Sequence, residues 1–171
     1  MKGLFIFCLL LVGCGYTTRG FVYNERSIYI SPIVNKVNIT EESRAYSSYV
    51  SYPVLLEKRL TNSLINKFSI ESSLRVASTP QDSLNLECQI LNYTKEPLRY
   101  SNDDRVLEQR LHLVVHFILR DSEGNLLKEK DIIGETTYFL SGANSKSESA
   151  AWTDLMEDTA RRIVEAVVEK W

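Results

Sequence analysis

Five stretches of the chain predict β-strands, and in three of them, residues 27–31, 84–90 and 111–119, apolar and polar residues alternate with the period of two of a strand that buries one face. The clearest stretch has large apolar residues at every second position from 111 to 119. Turn-forming residues bound the stretches, such as Pro32 after the first and Gly124 between the last two. The predicted strands cover residues 27–31, 74–77, 84–90, 111–119 and 128–138.

Two other stretches have apolar residues three or four positions apart, the spacing of one face of an α-helix. The first starts near Pro53, since a residue without an N–H costs nothing in a first helical turn. The second starts at Ser145 and Glu148, whose spacing is that of a capping box. The apolar faces are formed by Leu56, Leu60, Leu64 and Phe68 in the first helix and by Trp152, Met156, Thr159, Ile163 and Val167 in the second.

The order of these elements is strand, helix, several strands, helix. Two helices with one apolar face each can cover one side of a sheet. We therefore predict an α+β fold, a two-layer sandwich with both helices on one face of a mostly antiparallel or mixed sheet of about four strands. Residues 35–50 have no clear period and predict a loop, and Asn102-Asp103-Asp104 predicts a turn.

The N-terminus has the features of a lipoprotein signal. An apolar run from Leu4 to Val12 follows Lys2 and is shorter than the roughly 20 residues that a membrane-spanning helix needs. It ends in Leu11-Val12-Gly13-Cys14, a lipobox, so we expect residues 1–13 to be a cleaved signal peptide. Cys14 would then carry diacylglycerol and an N-acyl chain. Several acyl chains together give stable attachment to membrane lipid.

Cleavage before Cys14 would leave a chain with two parts. Residues 14–26 form a lipidated tether, and residues 27–171 form a single domain. Gly15 follows the cysteine, where an Asp would favour retention in the inner membrane. We therefore expect the protein on the periplasmic side of the outer membrane, anchored by lipid.

Charge and cysteine content exclude some classes of function. Without residues 1–13 the chain has 158 residues with 19 Lys and Arg against 22 Asp and Glu, a formal net charge of −3. This weak acidity argues against nucleic acid as a partner, since its binders usually carry a dense basic surface. Cys88 remains as a single thiol in the apolar phase of its strand, which predicts a buried core residue without a disulfide.

The only two histidines, His112 and His116, are the first candidates for chemistry. Both fall in the strand at 111–119, where four residues span about 13 Å, too far for one metal ion with bonds of about 2 Å. The sequence has no nucleophile elbow and no phosphate-binding glycine loop. We therefore predict no catalytic residue, no metal, and no cofactor other than the covalent lipid.

The polar phase of the same strand predicts a second surface, on the side of the sheet away from the core. Such a face can be simply solvated. Its mixed apolar and basic character would also suit contact with an amphiphile bearing phosphates and acyl chains, or with the wall of a partner protein. The residues predicted there are Arg110, His112, Val114, His116 and Ile118, with Lys128 and Lys130 on the next strand.

Several motifs together resemble the LptE family of lipopolysaccharide-assembly lipoproteins over essentially the whole mature chain. The start Cys14-Gly15-Tyr16-Thr17-Thr18-Arg19-Gly20 is similar to the family's opening, and residues 28–35 resemble its first strand. Each motif alone is weak, and the resemblance rests on their order and spacing. The other matching segments are residues 56–64, 74–76, 86–93, 105–111, 120–124 and 160–164.

The resemblance implies a function without covalent chemistry. Such a protein fills the lumen of the barrel LptD, helps it assemble, and binds lipopolysaccharide during delivery to the outer leaflet. By position, the residues implied in lipopolysaccharide binding are Arg99, with Arg105 as competitor, and Lys146. The acidic run Asn102-Asp103-Asp104 departs from that role. The alternative is a free-standing periplasmic lipoprotein that is structural or auxiliary to another envelope transporter.

Overall fold

The structure is a computed structural model that describes residues 23–37 and 52–169. Within these ranges one mixed sheet lies against two helices. The strands are β1 (Ser27–Ile30), β2 (Val34–Asn35), β3 (Arg75–Ala77), β4 (Leu84–Tyr100), β5 (Val106–Arg120) and β6 (Leu126–Phe139). The helices are α1 (Leu56–Glu71) and α2 (Glu148–Val168). The predicted α+β class and the placing of both helices against one sheet are confirmed.

The sheet combines parallel and antiparallel pairs in the order β3-β1-β4-β5-β6, with β2 beside β4. β1 runs parallel to both β3 and β4, because α1 returns the chain to the end of the sheet where β1 starts. The long strands β4, β5 and β6 are joined by tight turns and are therefore antiparallel. β3 and β6 are the two edge strands.

The sheet has six strands, so the prediction of about four was wrong. β2 is only two residues long and lies in a segment without alternation, which left no periodic signal to detect. β4 also continues ten residues beyond the predicted end at Ile90. A register shift between Ile90 and Asn92 leaves Leu91 as an extra residue, and such a bulge inverts the phase of the pattern.

The core lies between the sheet and the helices. Five residues of β5 are fully buried in alternation with half-buried neighbours, as the period of two predicted: Leu111, Leu113, Val115, Phe117 and Leu119. Cys88 on β4 is 2% exposed, which confirms the prediction of a core thiol. Burial raises the pKa of this thiol to about 12, so it stays neutral and unreactive at physiological pH.

α1 buries the predicted stripe of Leu56, Leu60, Leu64 and Phe68. The helix begins after Leu55, which has a φ of 62° and provides no side-chain cap. The hydroxyl of Tyr52 donates to Glu57 Oε1 at 3.0 Å and ties the preceding segment to the first turn. The apolar stripe therefore stabilises this helix more than its cap does.

α2 begins two residues later than predicted. Its N-cap is Ser147, whose Oγ accepts a hydrogen bond from the backbone N–H of Ala150 at 3.2 Å. The capping box of Ser145 and Glu148 was therefore wrong. Ser145 instead forms an isolated parallel bridge with Phe139, and that pairing keeps it outside the helix.

α2 packs closely on β6 at Gly134. A Cβ at this position would overlap the side chain of Thr159, which is fully buried. Thr159 Oγ1 donates to the carbonyl of Leu155 at 2.7 Å, so its hydroxyl is satisfied within the helix. Gly134 thus sets the distance between α2 and the edge strand. No helix among the described residues has the length and apolarity needed to cross a bilayer.

Candidate functional site at the hairpin end of the sheet

The turn between β4 and β5 forms one end of the sheet, which we call the hairpin end. Ser101 and Arg105 close the turn, with Ser101 N–H donating to the Arg105 carbonyl at 2.8 Å. Ser101 Oγ accepts from the backbone N–H of Asp103 and of Arg105. Asp104 has a φ of 58°, a conformation that Asp tolerates better than most residues. The predicted turn at Asn102-Asp103-Asp104 is confirmed.

Arg99 lies near the end of β4 with its side chain 62% exposed. One guanidinium nitrogen is 3.6 Å from Glu108 Oε2 on β5, and the guanidinium carbon is 5.8 Å from the centre of the Phe139 ring on β6. Arg99 therefore lies across the ends of all three long strands. Arg99 is open to solvent, whereas its partner Glu108 has a side chain that is only 15% exposed.

Lys146 reaches the same end of the sheet from the segment before α2. Its backbone N–H donates to the Phe139 carbonyl at 3.0 Å, while its Nζ lies 2.6 Å from Asp154 Oδ2 on α2. Lys146 and Arg99 thus have Phe139 as a common neighbour. Two residues that are 47 positions apart in the sequence are brought to one end of the fold.

Arg105 is the third basic residue of the hairpin end and is exposed. Its backbone holds the turn, but within the described ranges its guanidinium forms no ion pair. Arg105 is the cation that can meet an anion without losing a partner.

Three exposed apolar side chains, which were not among the predicted site residues, also lie at the hairpin end. Leu98, Tyr100 and Leu140 are 39%, 54% and 44% exposed. Leu98 and Tyr100 lie beside the predicted turn, which is a sign that could have placed them in the site. The register shifts between Pro97 and Tyr100 interrupt the alternation that would have shown these side chains to point outward. The hairpin end therefore combines cations with exposed apolar surface.

Acidic residues are also present at this end. Asp103 and Asp104 are exposed in the turn, and Glu108 and Asp154 face Arg99 and Lys146. The two aspartates of the turn have no ion-pair partner in the described part of the chain. An approaching anion therefore meets attraction from three cations and repulsion from the turn.

A layer of buried hydroxyls holds the hairpin end rigid from the helix side. Tyr138 donates to Gln109 Oε1 at 2.6 Å, and the Trp152 indole N–H donates to the Tyr93 hydroxyl at 3.1 Å. Lys95 Nζ joins β4 to the first residue of α2 through Glu148 Oε1 at 2.9 Å. Burial raises the pKa of Tyr93 and of Tyr138 to about 12, so both remain neutral hydrogen-bonding groups.

The outer face of the sheet, the side of β4, β5 and β6 that lies away from the helices, contains both histidines, as predicted. His116 Nδ1 is 2.7 Å from Asp131 Oδ1 and its Nε2 is 3.1 Å from Glu129 Oε1. His112 Nε2 is 3.3 Å from Glu135 Oε2. Each histidine of β5 is therefore paired with carboxylates of β6.

Lys128 and Lys130 do not lie on this outer face, so their predicted placement was wrong. They pair in register with Leu119 and Phe117, which point to the helices. Lys128 Nζ donates to the carbonyls of Ala166 and Glu169 at 2.6 and 3.2 Å and caps the end of α2. Residues 128–138 lack a continuous alternation, so the sequence does not show which of their side chains point to the helices.

No arrangement for covalent or metal chemistry is evident in the described ranges. No group of three or more His, Cys, Asp or Glu side chains there is placed to hold a metal ion. The histidines are engaged by carboxylates on the strand face, and Cys88 is buried in the core. The features that remain for function are surfaces, namely the hairpin end and the outer face.

Comparison with known proteins identifies the family. The family model LptE, described as lipopolysaccharide-assembly, matches residues 26–167. The chain belongs to the LptE family. The resemblance drawn from the motifs is therefore confirmed, and LptE is a family of non-enzymatic lipoproteins. The comparison with curated proteins finds no match to this sequence.

A solved structure with a TM-score above 0.5 has the same fold as this LptE chain. One similar structure is the uncharacterized lipoprotein B from Nitrosomonas europaea, with a TM-score of 0.55 and 18% identity over 90% of each chain. Another is the rare lipoprotein B from Shewanella oneidensis, with a TM-score of 0.48 and 13% identity over 81% of this chain and 92% of that chain. Cys14 lies outside the described residues, so its lipidation stays a prediction.

Proposed function

We propose that this LptE chain is a lipid-anchored protein on the periplasmic side of the outer membrane that acts as plug and assembly partner of an LptD-type β-barrel. It would assist the insertion of lipopolysaccharide at that membrane. The match of a lipopolysaccharide-assembly family to residues 26–167 is the observation that carries the proposal. The lipobox ending at Cys14 supports the anchor. The name of the Nitrosomonas europaea protein, lipoprotein B, agrees with it.

The rigidity of the body supports the role of a plug. A pore is filled by a folded unit that does not change shape, and here two helices bury one side of the sheet in a continuous core. The buried hydrogen-bonding layer of Tyr93, Tyr138 and Trp152 extends that order to the hairpin end. Among the described residues, every buried side-chain nitrogen and oxygen has a hydrogen-bond partner.

The hairpin end is where we propose that lipopolysaccharide binds. Its phosphates would accept charge-assisted hydrogen bonds from Arg99, Arg105 and Lys146. Arg99 and Lys146 would exchange their carboxylate partners Glu108 and Asp154 for phosphate oxygens. Acyl chains would contact the exposed Leu98, Tyr100 and Leu140. Asp103 and Asp104 would weaken the attraction between the cations and the phosphates, so that bound lipopolysaccharide can dissociate.

The plug proposal is tested by purifying the acylated full-length protein from outer membranes with an affinity tag. We expect a large β-barrel to come with it at close to one copy each, and we expect depletion of this protein to leave that barrel misassembled. A Cys14→Ala variant, which cannot be lipidated, is the matched control for anchoring. Recovery of the protein with no barrel would contradict the proposal and favour a free-standing envelope lipoprotein.

The binding proposal is tested separately with purified protein and lipopolysaccharide at low salt. The triple variant Arg99→Ala, Arg105→Ala, Lys146→Ala should weaken binding at least tenfold, because three contacts to phosphate are removed. Single variants should rank Arg105→Ala as the most damaging, since its guanidinium forms no ion pair with the described residues and is available to phosphate. Lys58→Ala with Arg75→Ala removes exposed charges elsewhere and is the control. Unchanged affinity of the triple variant would remove this part of the proposal.

A further inference from the structure

The outer face of the sheet is acidic rather than basic. By their register, six carboxylates project from it on β4, β5 and β6, against three guanidiniums. The carboxylates are Glu87, Glu96, Glu108, Glu129, Asp131 and Glu135, and the guanidiniums are Arg99, Arg110 and Arg120. With neutral histidines the formal charge of this face is −3, the same value as for the mature chain but concentrated on one surface.

The excess negative charge lies on β6. On β4 and β5 each arginine has a glutamate opposite or beside it: Arg99 pairs with Glu108, Arg110 is in register with Glu96, and Arg120 Nε is 3.9 Å from Glu87. On β6, Glu129 and Asp131 contact His116, and Glu135 Oε1 is 4.0 Å from a guanidinium nitrogen of Arg162 on α2. The side chains of Glu129, Asp131 and Glu135 are 50%, 60% and 52% exposed, so they remain accessible.

An apolar strip crosses the same face between these charges. Val114 on β5 lies directly opposite Ile133 on β6, and Ile133 is 55% exposed. The pair of His112 and Glu135 borders the strip on one side, and His116 with Asp131 borders it on the other. An apolar centre with a charged border is the usual arrangement of a protein–protein interface.

We propose that the outer face, centred on Val114 and Ile133, is the surface with which this chain docks against a protein wall that presents Lys and Arg side chains. The proposal rests on the proposed function, because the wall in question is the lumen side of the partner barrel. Charge complementarity determines the choice of partner. A phosphate-bearing glycolipid would be repelled by Glu129, Asp131 and Glu135, whereas basic side chains of a protein would pair with them.

The docking is therefore distinct from lipopolysaccharide binding, which uses the cations of the hairpin end. The two surfaces meet near Phe139, which lies on the outer face opposite Glu108 and under the guanidinium of Arg99. The acidic strand β6 would contact the protein wall, and the basic hairpin end would bind lipopolysaccharide. Opposite charges thus direct two partners to two neighbouring surfaces.

The test neutralises the three carboxylates of β6 with isosteric changes, Glu129→Gln, Asp131→Asn and Glu135→Gln, in the full-length lipoprotein expressed with its barrel. We expect at least a tenfold loss of co-purified barrel at 0.5 M salt and a weaker dependence of recovery on salt concentration. Lipopolysaccharide binding should stay within twofold of wild type. A melting curve of each purified variant verifies that the domain is folded.

The matched control is Glu71→Gln, Glu123→Gln, Glu157→Gln, which removes the same charge from exposed positions off the outer face. It should recover barrel as the wild type does. Wild-type recovery by the β6 variant, or an equal loss in the control, would overturn the docking surface. A fall in lipopolysaccharide binding with barrel recovery intact would overturn it as well. Failure of the wild type itself to recover a barrel would instead refute the proposed function.

Discussion

β5 has two faces with the same backbone and very different constraints. On the helix side, five consecutive inward residues are fully buried and apolar. On the outer side, their neighbours are half-buried and include His112, Val114 and His116, which contact carboxylates or apolar residues of β6. Burial in the core determines which residues occupy the inner positions, whereas the packing of the domain does not determine which residues occupy the outer positions. The outer residues are therefore the ones that carry information about a partner.

The largest loss of stability is expected for a substitution on the inner face of β5. Comparison with a substitution on the outer face measures how far the two faces differ. Phe117→Ala removes a fully buried ring and should lower the free energy of unfolding by about 3 to 5 kcal/mol. His116→Ala, one residue away, should lower it by less than about 1 kcal/mol, because the carboxylates that His116 contacts are exposed and such contacts contribute little. Urea denaturation of both variants measures the contrast. Equal losses would show that the outer pairs stabilise the fold as strongly as the core.

The contact of β6 with α2 gives the next largest effect. Gly134→Ala would force the new Cβ against Thr159 and should cost about 1 to 3 kcal/mol through overpacking. Thr159→Ala in the same chain removes the Oγ1 that the new Cβ would meet first and should restore part of the loss. Ile133→Ala on the outer side of the same strand is the control. Thermal melting of the single and double variants is the measurement, and a stable Gly134→Ala protein would contradict the close packing.

Asp158 should give a smaller, pH-dependent effect at the same edge strand. Its Oδ2 accepts from the backbone N–H of Glu135 at 3.0 Å and from Arg162 Nε at 2.7 Å. Burial would raise the pKa of Asp158, but the hydrogen bonds from Glu135, Arg161 and Arg162 outweigh it and hold the pKa below its usual value. We expect Asp158→Asn to cost about 1 to 2 kcal/mol at pH 7.

The sign of the pH dependence follows from that lowered pKa. A carboxylate whose pKa is lower in the folded state contributes its full stability above the unfolded pKa of about 3.9 and loses it as the pH falls through the folded pKa. The difference between wild type and Asp158→Asn should therefore shrink when urea denaturation is repeated from pH 6 down to pH 3. A constant difference over this range would show that the hydrogen bonds do not depend on the charge.

The smallest effect is expected for single charges of the outer face. Glu135→Gln keeps the size of the side chain and removes one exposed partner of His112, so stability should change by less than about 0.5 kcal/mol. Denaturation at pH 7 checks this value. A loss above about 1 kcal/mol would mean that the outer face is held by its own charge pairs and is no free docking surface.

The sequence predicted best the elements whose period was continuous. The stripe of α1 and the alternation of β5 were found because every core contact there repeats at a fixed spacing. β2, the second half of β4 and the start of α2 were missed or misplaced for a common reason. They depend on pairing with distant residues, such as Val34 with Gln89 and Phe139 with Ser145, which a local pattern does not contain.

The candidate site was predicted through family motifs more than through physics. Arg99 and Lys146 do meet near Phe139, yet no local signal connects them. The sign of charge on the outer face was wrong because the phase of Lys128 and Lys130 was taken from their position in the sequence alone. Only the register between β5 and β6 shows that Glu129 and Asp131 point outward instead.

The most direct test of the account is photo-crosslinking from the outer face in living cells. Ile133 is 55% exposed and directly opposite Val114, so its replacement with p-benzoylphenylalanine leaves the core intact. We expect irradiation to yield one major adduct with a large outer-membrane β-barrel, and no such adduct when the same group replaces Ile70 on the far side of α1. A folded, membrane-bound Ile133 variant that forms no adduct with a barrel would contradict the claim that this domain works inside a larger protein.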